Sequence, residues 1–455
     1  MKQPVVAIFD IGKTNKKLLL FSEELKLISE KEEKFETVTD EDGFECDDIV
    51  KIESWINEAV RQLATSPDFD LLAVNFTTYG ATLVYVDGNG KRLTPVYNYL
   101  KQIDSAVPEK IYKEYGGREE FSRCTASPPL GMLNSGMQAL WLKRRNPELF
   151  SKVKHILHFP QYLSYIIGGE KSSELTSIGC HTAIWDFDKG EYHRWVKDED
   201  LPFPEPSPVT KLVYSKIGST KFAVGTGLHD SSASLAPYFA SGPGDFILVS
   251  TGTWCINMNP FNSDKLTSEE LANDCLCYLS TEGRPVKSSR LFLGHLHDSA
   301  VKKISWNFKI HEESIRLVKP DLRIFSKLQA KNPDEKIFTG ELASSGEITA
   351  EPEFFVFDNF LEAYHKLMIE LTDLAIDAIR LVIPENDKAE RIYITGGFSR
   401  NPLFLKLLAS SFPDKQVYTS EISNATALGA AIVTFKALFP EKDISPSLGL
   451  TEIRL

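Results

Sequence analysis

Apolar and polar positions alternate along this chain in blocks that predict strands and helices in turn. Val5-Val6-Ala7-Ile8-Phe9 is a short run of β-branched and aromatic residues and predicts a buried strand. Asp10-Ile11-Gly12-Lys13-Thr14-Asn15 follows with turn-forming types, and residues 17–21 return to apolar side chains, so the opening segment predicts a hairpin. Within residues 47–64, Ile49, Ile52, Ile56, Val60 and Leu63 fall at helical spacing. Residues 71–76 and 82–86 predict strands, with Asp87-Gly88-Asn89-Gly90 as a turn between strands. Residues 138–145 predict a helix that stops near Pro147, and the prolines of residues 201–208 predict a rigid surface loop. A strand at 221–226 precedes the polar turn Gly227-Leu228-His229-Asp230.

Beyond Ser241-Gly242-Pro243-Gly244 the opening pattern recurs. Phe246-Ile247-Leu248-Val249 is apolar, Ser250-Thr251-Gly252-Thr253 is a polar glycine turn, and Cys255-Ile256-Asn257-Met258 resumes a strand. The repeat suggests a duplication, with one half spanning residues 1–242 and the other 243–455. An amphipathic helix is predicted over 360–382, a strand over 391–395, and a tight turn at Gly396-Gly397-Phe398-Ser399-Arg400-Asn401. Pro402 suits the first position of the helix after that turn. A last helix over 424–438 starts rich in Ala and Gly, which permits close backbone approach. Strands alternating with helices make the fold class α/β.

Composition changes the picture only modestly. The 455 residues suit two or three domains, and 42% hydrophobic with 25% charged residues excludes a disordered chain, a collagen and a coiled coil. A net charge of −12 argues against a duplex nucleic-acid binder. It leaves phosphate ligands open, because backbone N–H groups and a metal ion can hold them on an acidic protein. No apolar run is long enough to span a membrane, and the first residues lack the pattern of a secretory signal. The six scattered cysteines read as reduced thiols in a cytoplasmic protein.

Candidate chemistry sits at the strand ends. Three glycine turns follow apolar strands, at residues 10–15, 250–253 and 396–401, and none is a Walker loop. Glycine admits main-chain N–H groups to an anion, and Thr or Ser adds hydroxyl donors. Asp10 would repel a bare phosphate but suits a hydrated Mg²⁺, and Lys13, Lys16 or Lys17 could offset charge. Structural hairpins are the alternative. Asp230 is either a general base for a substrate hydroxyl or a helix N-cap ahead of Ser231 and Ser232, and both can hold. Thr77-Thr78-Tyr79-Gly80 and Tyr97-Asn98-Tyr99 offer rings and hydroxyls to a sugar, or pack at a strand end. His295, Leu296, His297 and Asp298 fit no standard metal spacing and read as an exposed polar loop.

Together these segments resemble the FGGY carbohydrate kinases of the actin-like, ribonuclease-H-like ATPase superfamily. Residues 10–15 look like the first phosphate motif, 227–234 like the catalytic-aspartate segment, 250–254 like the second phosphate motif, and 394–401 like the adenosine motif, followed by the Ala-Gly-rich helix. The resemblance implies two ribonuclease-H-like (actin/hexokinase-type) domains, each with a mixed sheet, and a cleft between them. It implies Asp230 as general base and Asp10 as the residue that organises Mg²⁺. It places Gly12, Thr14, Asn15, Lys17, Thr251, Gly252 and Thr253 around the phosphates of ATP, and Gly396, Gly397 and Asn401 around adenosine. Thr78, Tyr79, Gly80, Tyr99, His229 and Asp230 would hold the sugar. Residues 77–80 look most like those of L-fuculose and L-rhamnulose kinases, and residues 229–233 like the latter. The implied activity is phosphorylation of a small ketose, a 6-deoxyketohexose, at O1, with a pentulose or polyol as the alternative acceptor. A homodimer stays open, and neither nucleic acid nor a membrane is an expected partner. In one place the chain departs from the pattern. The family's common Trp/Tyr-x-Asp-x-Arg begins with Tyr99 here, but Lys101 and Ile103 stand for the Asp and Arg, which alters a sugar contact or an interdomain tie. The rivals are a non-sugar ATPase of the superfamily and a catalytically silent sugar-binding regulator.

Overall fold

The computed structural model describes residues 2–242, 244–331, 335–340 and 352–454. The opening apolar run forms the strand Gln3–Ile11, in which Val5 to Phe9 are all completely buried. It pairs antiparallel with Lys16–Phe21 and parallel with Phe69–Thr78, so it lies inside a mixed sheet. The order is Leu212–Ile217, Thr220–Gly225, Phe69–Thr78, Gln3–Ile11, Lys16–Phe21, Leu27–Glu33. The outer strand Leu27–Glu33 carries Glu30, Lys31, Glu32 and Glu33 and is mostly exposed, a charged edge that resists pairing with another chain.

The second sheet repeats this plan. Phe246–Thr251 takes the inner place, antiparallel to Cys255–Asn259 and parallel to Arg391–Gly396. Pro285–Leu291 lies beyond Cys255–Asn259, and Gln416–Thr419 runs parallel to Arg391–Gly396. Five strands therefore follow one another in the same order and sense in both sheets, as the two matching glycine turns led us to expect. The result is a two-domain α/β structure of the actin/hexokinase kind.

Helices cover the sheets where their apolar stripes fit. Ile49–Ala64 starts at Asp48, whose side chain accepts the Lys51 N–H, and buries Ile49, Ile52, Ile56, Val60 and Leu63. Phe360–Arg380 and Leu293–Phe308 pack with the second sheet in one large core that includes Tyr364, Leu367, Met368, Leu371, Leu296 and Ile304. Leu361, at the start of the first of these helices, is 37% exposed. Across the 87–90 turn Val86 bridges to Arg92 and the Leu93 N–H donates to the Tyr85 carbonyl, but the strand that runs beside Leu83–Val86 is His155–His158. Between these strands and Leu201 the chain builds a separate core around Tyr85, Tyr97, Phe121 and Trp195. The proline-rich stretch contributes one short pairing, Pro206–Ser207 beside Ser173–Glu174.

Two helices join the halves. Asp230–Ala240 turns Ala233, Ala236 and Ala240 toward the first sheet's core and Leu235 and Tyr238 toward Phe246, Leu248 and Tyr393 of the second. Ala425–Leu438, late in the sequence, crosses back to pack Ala427, Ala430 and Ala431 against Val6, Ile8 and Ala73. The two helices touch at Gly429, where a Cβ would fall 1.8 Å from the Ala233 carbonyl oxygen. Gly429→Ala would gain about 1 kcal/mol of helix propensity, but overpacking against rigid backbone costs about 1–3 kcal/mol or more. We expect a net loss of stability, read as a lower urea midpoint, whereas Gly88→Ala, with only a Lys154 side-chain carbon at 3.7 Å, leaves the midpoint unchanged.

Candidate active site

The carboxyl-terminal ends of the first sheet's parallel strands set up one wall. Asp10 is paired in register with Thr77 of the neighbouring parallel strand, and the Thr77 hydroxyl donates to Asp10 Oδ1 at 2.9 Å. Leu228–His229, read from sequence as a turn, adds a short parallel strand beside Thr77–Thr78. Asp230 therefore emerges at the same edge as Asp10. Its side chain is 34% exposed, with Oδ1 3.1 Å from His229 Nε2 and 2.6 Å from the Ser231 N–H. His229, not Asp230, occupies the N-cap of the following helix, and Asp230 is its first residue. Burial pushes the Asp230 carboxyl up to about 6. Burial, together with the charge of Asp230, does the same to Asp10, also to about 6, against the Thr77 hydrogen bond and the Lys17 charge. His229 is buried, 3.1 Å from Cys180 Sγ, and loses basicity to about 4 through burial.

A cluster that the sequence reading missed flanks this wall. Asp47 is buried and accepts from Lys13 Nζ (2.7 Å), Lys16 Nζ (2.9 Å) and the Tyr79 hydroxyl (2.7 Å). Burial works against the Asp47 charge, but the two ammonium groups hold its carboxyl below the ordinary range. The Tyr79 and Tyr99 rings lie 6.0 Å apart, and Lys13 sits over both. Thr78 is fully buried and donates to its neighbour's carbonyl, so it supports the wall from behind. Lys101 is buried as well, ion-paired with Asp40 and with Asp42 at 2.5 Å, and stacked over Tyr97 and Trp141. Ile103 packs into the core around Tyr97. The departure from the family pattern is thus an internal salt bridge and an apolar contact. Lys17 pairs with Glu30 at 2.7 Å and donates to Asn424 at 3.2 Å, tying the hairpin to the start of the 425–438 helix.

Each glycine turn follows a strand of one of the two sheets. In the first, the Gly12 N–H donates to the Asn15 carbonyl, with Thr14 exposed and Lys13 and Asn15 half-buried. In the second, Gly252 and Thr253 are exposed, but Thr251 is buried. Its hydroxyl donates to the Thr395 carbonyl at 2.5 Å and accepts the Phe398 N–H at 3.0 Å, so Thr251 braces the third turn and is not presented to a ligand. Gly396 has φ +88°, and a Cβ there would lie 1.7 Å from the Thr251 carbonyl oxygen. Between these turns is a cavity of about 340 Å³ lined by Gly252, Thr253, Gly397 and Asn401, and by Tyr364, His297 and Arg316. Asn401 accepts the Leu403 and Phe404 N–H groups and donates to the Tyr364 hydroxyl, which also meets His297 Nε2. Residues 295–298 lie inside the helix Leu293–Phe308, with His297 buried, and not on a polar loop. Their helical setting was legible in Leu293, Leu296, Ala300, Val301 and Ile304, which are all buried at helical spacing.

Carboxylates at the edge of the first sheet, and glycine turns around a cavity in the second half, stand on a two-domain fold of the actin/hexokinase kind. The model of the FGGY family of carbohydrate kinases, N-terminal domain, matches residues 5–199, and that of the carbohydrate kinase FGGY C-terminal domain matches residues 243–442. This chain belongs to the FGGY family and is a carbohydrate kinase. A rhamnulokinase of Halalkalibacterium halodurans is 23% identical over 94% of this chain and 92% of its own length. Among solved structures, a carbohydrate kinase from Novosphingobium aromaticivorans superposes with a TM-score of 0.81 at 21% identity, covering all of this chain and 94% of that one. A ligand-bound xylulose kinase from Lactobacillus acidophilus superposes at 0.77 with 16% identity over 99% and 93%. No helix among the described residues is long and apolar enough to cross a membrane.

The Gly396 geometry gives a direct test of the cavity. Gly396→Ala forces a side chain into a left-handed backbone against the adjacent strand, which should weaken ADP binding about tenfold or more in calorimetry.

Proposed function

We propose that the enzyme transfers the γ-phosphoryl group of ATP to O1 of a 6-deoxyketohexose such as L-rhamnulose or L-fuculose. The observation that carries this reading is Asp230, a half-exposed carboxylate held at the sheet edge with a raised pKa. Its oxygens can accept the proton of an attacking sugar hydroxyl at near-neutral pH. The full-length similarity to a rhamnulokinase supports the choice of sugar. The domain boundary lies near residue 242, after the helix that carries Asp230.

Each group then has a task. Tyr79, Gly80, Tyr99 and His229 bound the sugar, with the rings offering apolar faces to its C–H groups. The turns at Gly12, Thr14 and Asn15 and at Gly252 and Thr253 present N–H and hydroxyl donors to the phosphates. Gly396, Gly397 and Asn401 receive adenosine. The residues also fit Mg²⁺: Asp10 keeps one hard oxygen donor beyond its Thr77 contact, and its pKa is raised in part by the charge of Asp230, a repulsion that a cation relieves. Bound Mg²⁺ would neutralise charge on the β- and γ-phosphates. Asp230 holds and orients the hydroxyl, then carries its proton away from the new phosphate ester. Closure of the halves keeps water from taking the phosphoryl group.

An ADP-release screen across ketoses and polyols, with product mapping, tests the reading. Faster turnover on 6-deoxyketohexoses with phosphate on O1 supports it. Faster turnover on ketopentoses makes the enzyme a pentulose kinase, and ATP hydrolysis indifferent to sugar sinks the sugar-kinase mechanism. Asp230→Asn should lower kcat about 100-fold or more, and a parent-like rate would falsify its role as base. Because the base works only when ionised and its pKa is about 6, kcat/KM should fall as pH drops, by about tenfold between pH 7 and pH 5.

A further inference from the structure

Lys13 belongs to the first glycine turn, yet its ammonium group is bound up with the sugar side of the cleft. It donates to Asp47 Oδ2 at 2.7 Å and lies 5.1 Å from the Tyr79 ring centroid and 5.4 Å from that of Tyr99. An ammonium carries three N–H donors. Asp47 takes one, and the Lys13 ammonium makes no other hydrogen bond among the described residues. Its side chain is 31% exposed, so the remaining donors reach open space.

The cluster around it is built to keep that ammonium in place. Lys16 is buried, with two of its donors on Asp47 Oδ1 and the Lys13 carbonyl, and the Tyr79 hydroxyl shares Oδ2 with Lys13. One carboxylate thus faces two ammonium groups and leaves a net positive charge. The position is close to the reacting end of the site. Lys13 lies over the Tyr79 ring, and Tyr79 directly follows Thr78, which pairs in register with His229, the neighbour of Asp230; the charges of both Asp47 and Asp230 also reach the Tyr99 phenol. Lys101 cannot supply a donor here, because it is buried in its own ion pair.

We infer that Lys13 is a specificity-determining residue that hydrogen-bonds oxygen atoms on the non-reacting part of the acceptor. Ring faces that take C–H groups, next to an ammonium that takes oxygens, select a polyhydroxylated ketose over a simple alcohol. The inference rests on the reading above that the cleft at Tyr99 and Asp230 holds the acceptor.

The test is steady-state kinetics of wild type, Lys13→Met and Lys13→Arg, varying the acceptor and ATP separately, on the ketose that wild type turns over best. Lys13→Met should raise the acceptor KM about tenfold or more and leave the ATP KM within about twofold. Lys13→Arg should recover part of the loss. An unchanged acceptor KM overturns the inference, and so does a raised ATP KM with the acceptor KM unmoved, which makes Lys13 a phosphate ligand. If Lys13→Met does not fold, monodeoxy acceptors on wild type and Lys13→Arg decide. The inference requires one deoxy position to cost wild type at least about tenfold in acceptor KM and Lys13→Arg clearly less. Equal losses in both overturn it. A wild-type enzyme that turns over no sugar removes the proposed function together with this inference. A wild type that does, with Lys13→Met unchanged, removes this inference alone.

Discussion

The cleft depends on one packing constraint, the close passage of two helices between two sheets. Asp230–Ala240 buries one face on each half, and Ala425–Leu438 returns from the end of the chain to lie against it. Side chains as small as alanine and glycine hold the helices at backbone distance. The first of these helices begins at Asp230 and the second follows Asn424, which meets Lys17 and Glu30. The packing that joins the halves thereby also fixes where the carboxylate and the first turn stand.

Around that joint, burial pushes both Asp10 and Asp230 toward neutrality, which suits the cation-binding and proton-accepting roles proposed for them. Asp47 is treated oppositely. It is buried more completely, yet stays charged because three donors converge on it. Three aspartates in one neighbourhood thus hold different chemistry, set by what points at them.

Much of this was legible in the sequence, for identifiable reasons. The strand at Val5 to Phe9 reads clearly because every residue is buried, and the glycine turns read clearly because their spacing after apolar runs is local. Asp47 carried no such signal. It precedes a helix whose cap is Asp48, and its partners Lys13, Lys16 and Tyr79 come from distant segments. The pairing of Leu83–Val86 with His155–His158 was hidden for the same reason, since a nearby turn suggested a local partner. Thr251 looked like a phosphate ligand because its hydroxyl sits in a glycine turn, but only the parallel register beside Gly396 shows that the hydroxyl points across to the next strand. Residues 295–298 are three polar side chains around Leu296, a loop-like composition, and only the apolar spacing on either side of them marks the helix.

The Thr251 hydroxyl has a mechanical consequence. By bonding to Thr395 and Phe398 it links the 250–253 and 396–401 turns through a side chain as well as through the strand pairing beneath them. The spacing of these two turns is therefore set by one hydroxyl, and trimming it to an alanine methyl would free each turn to move without the other.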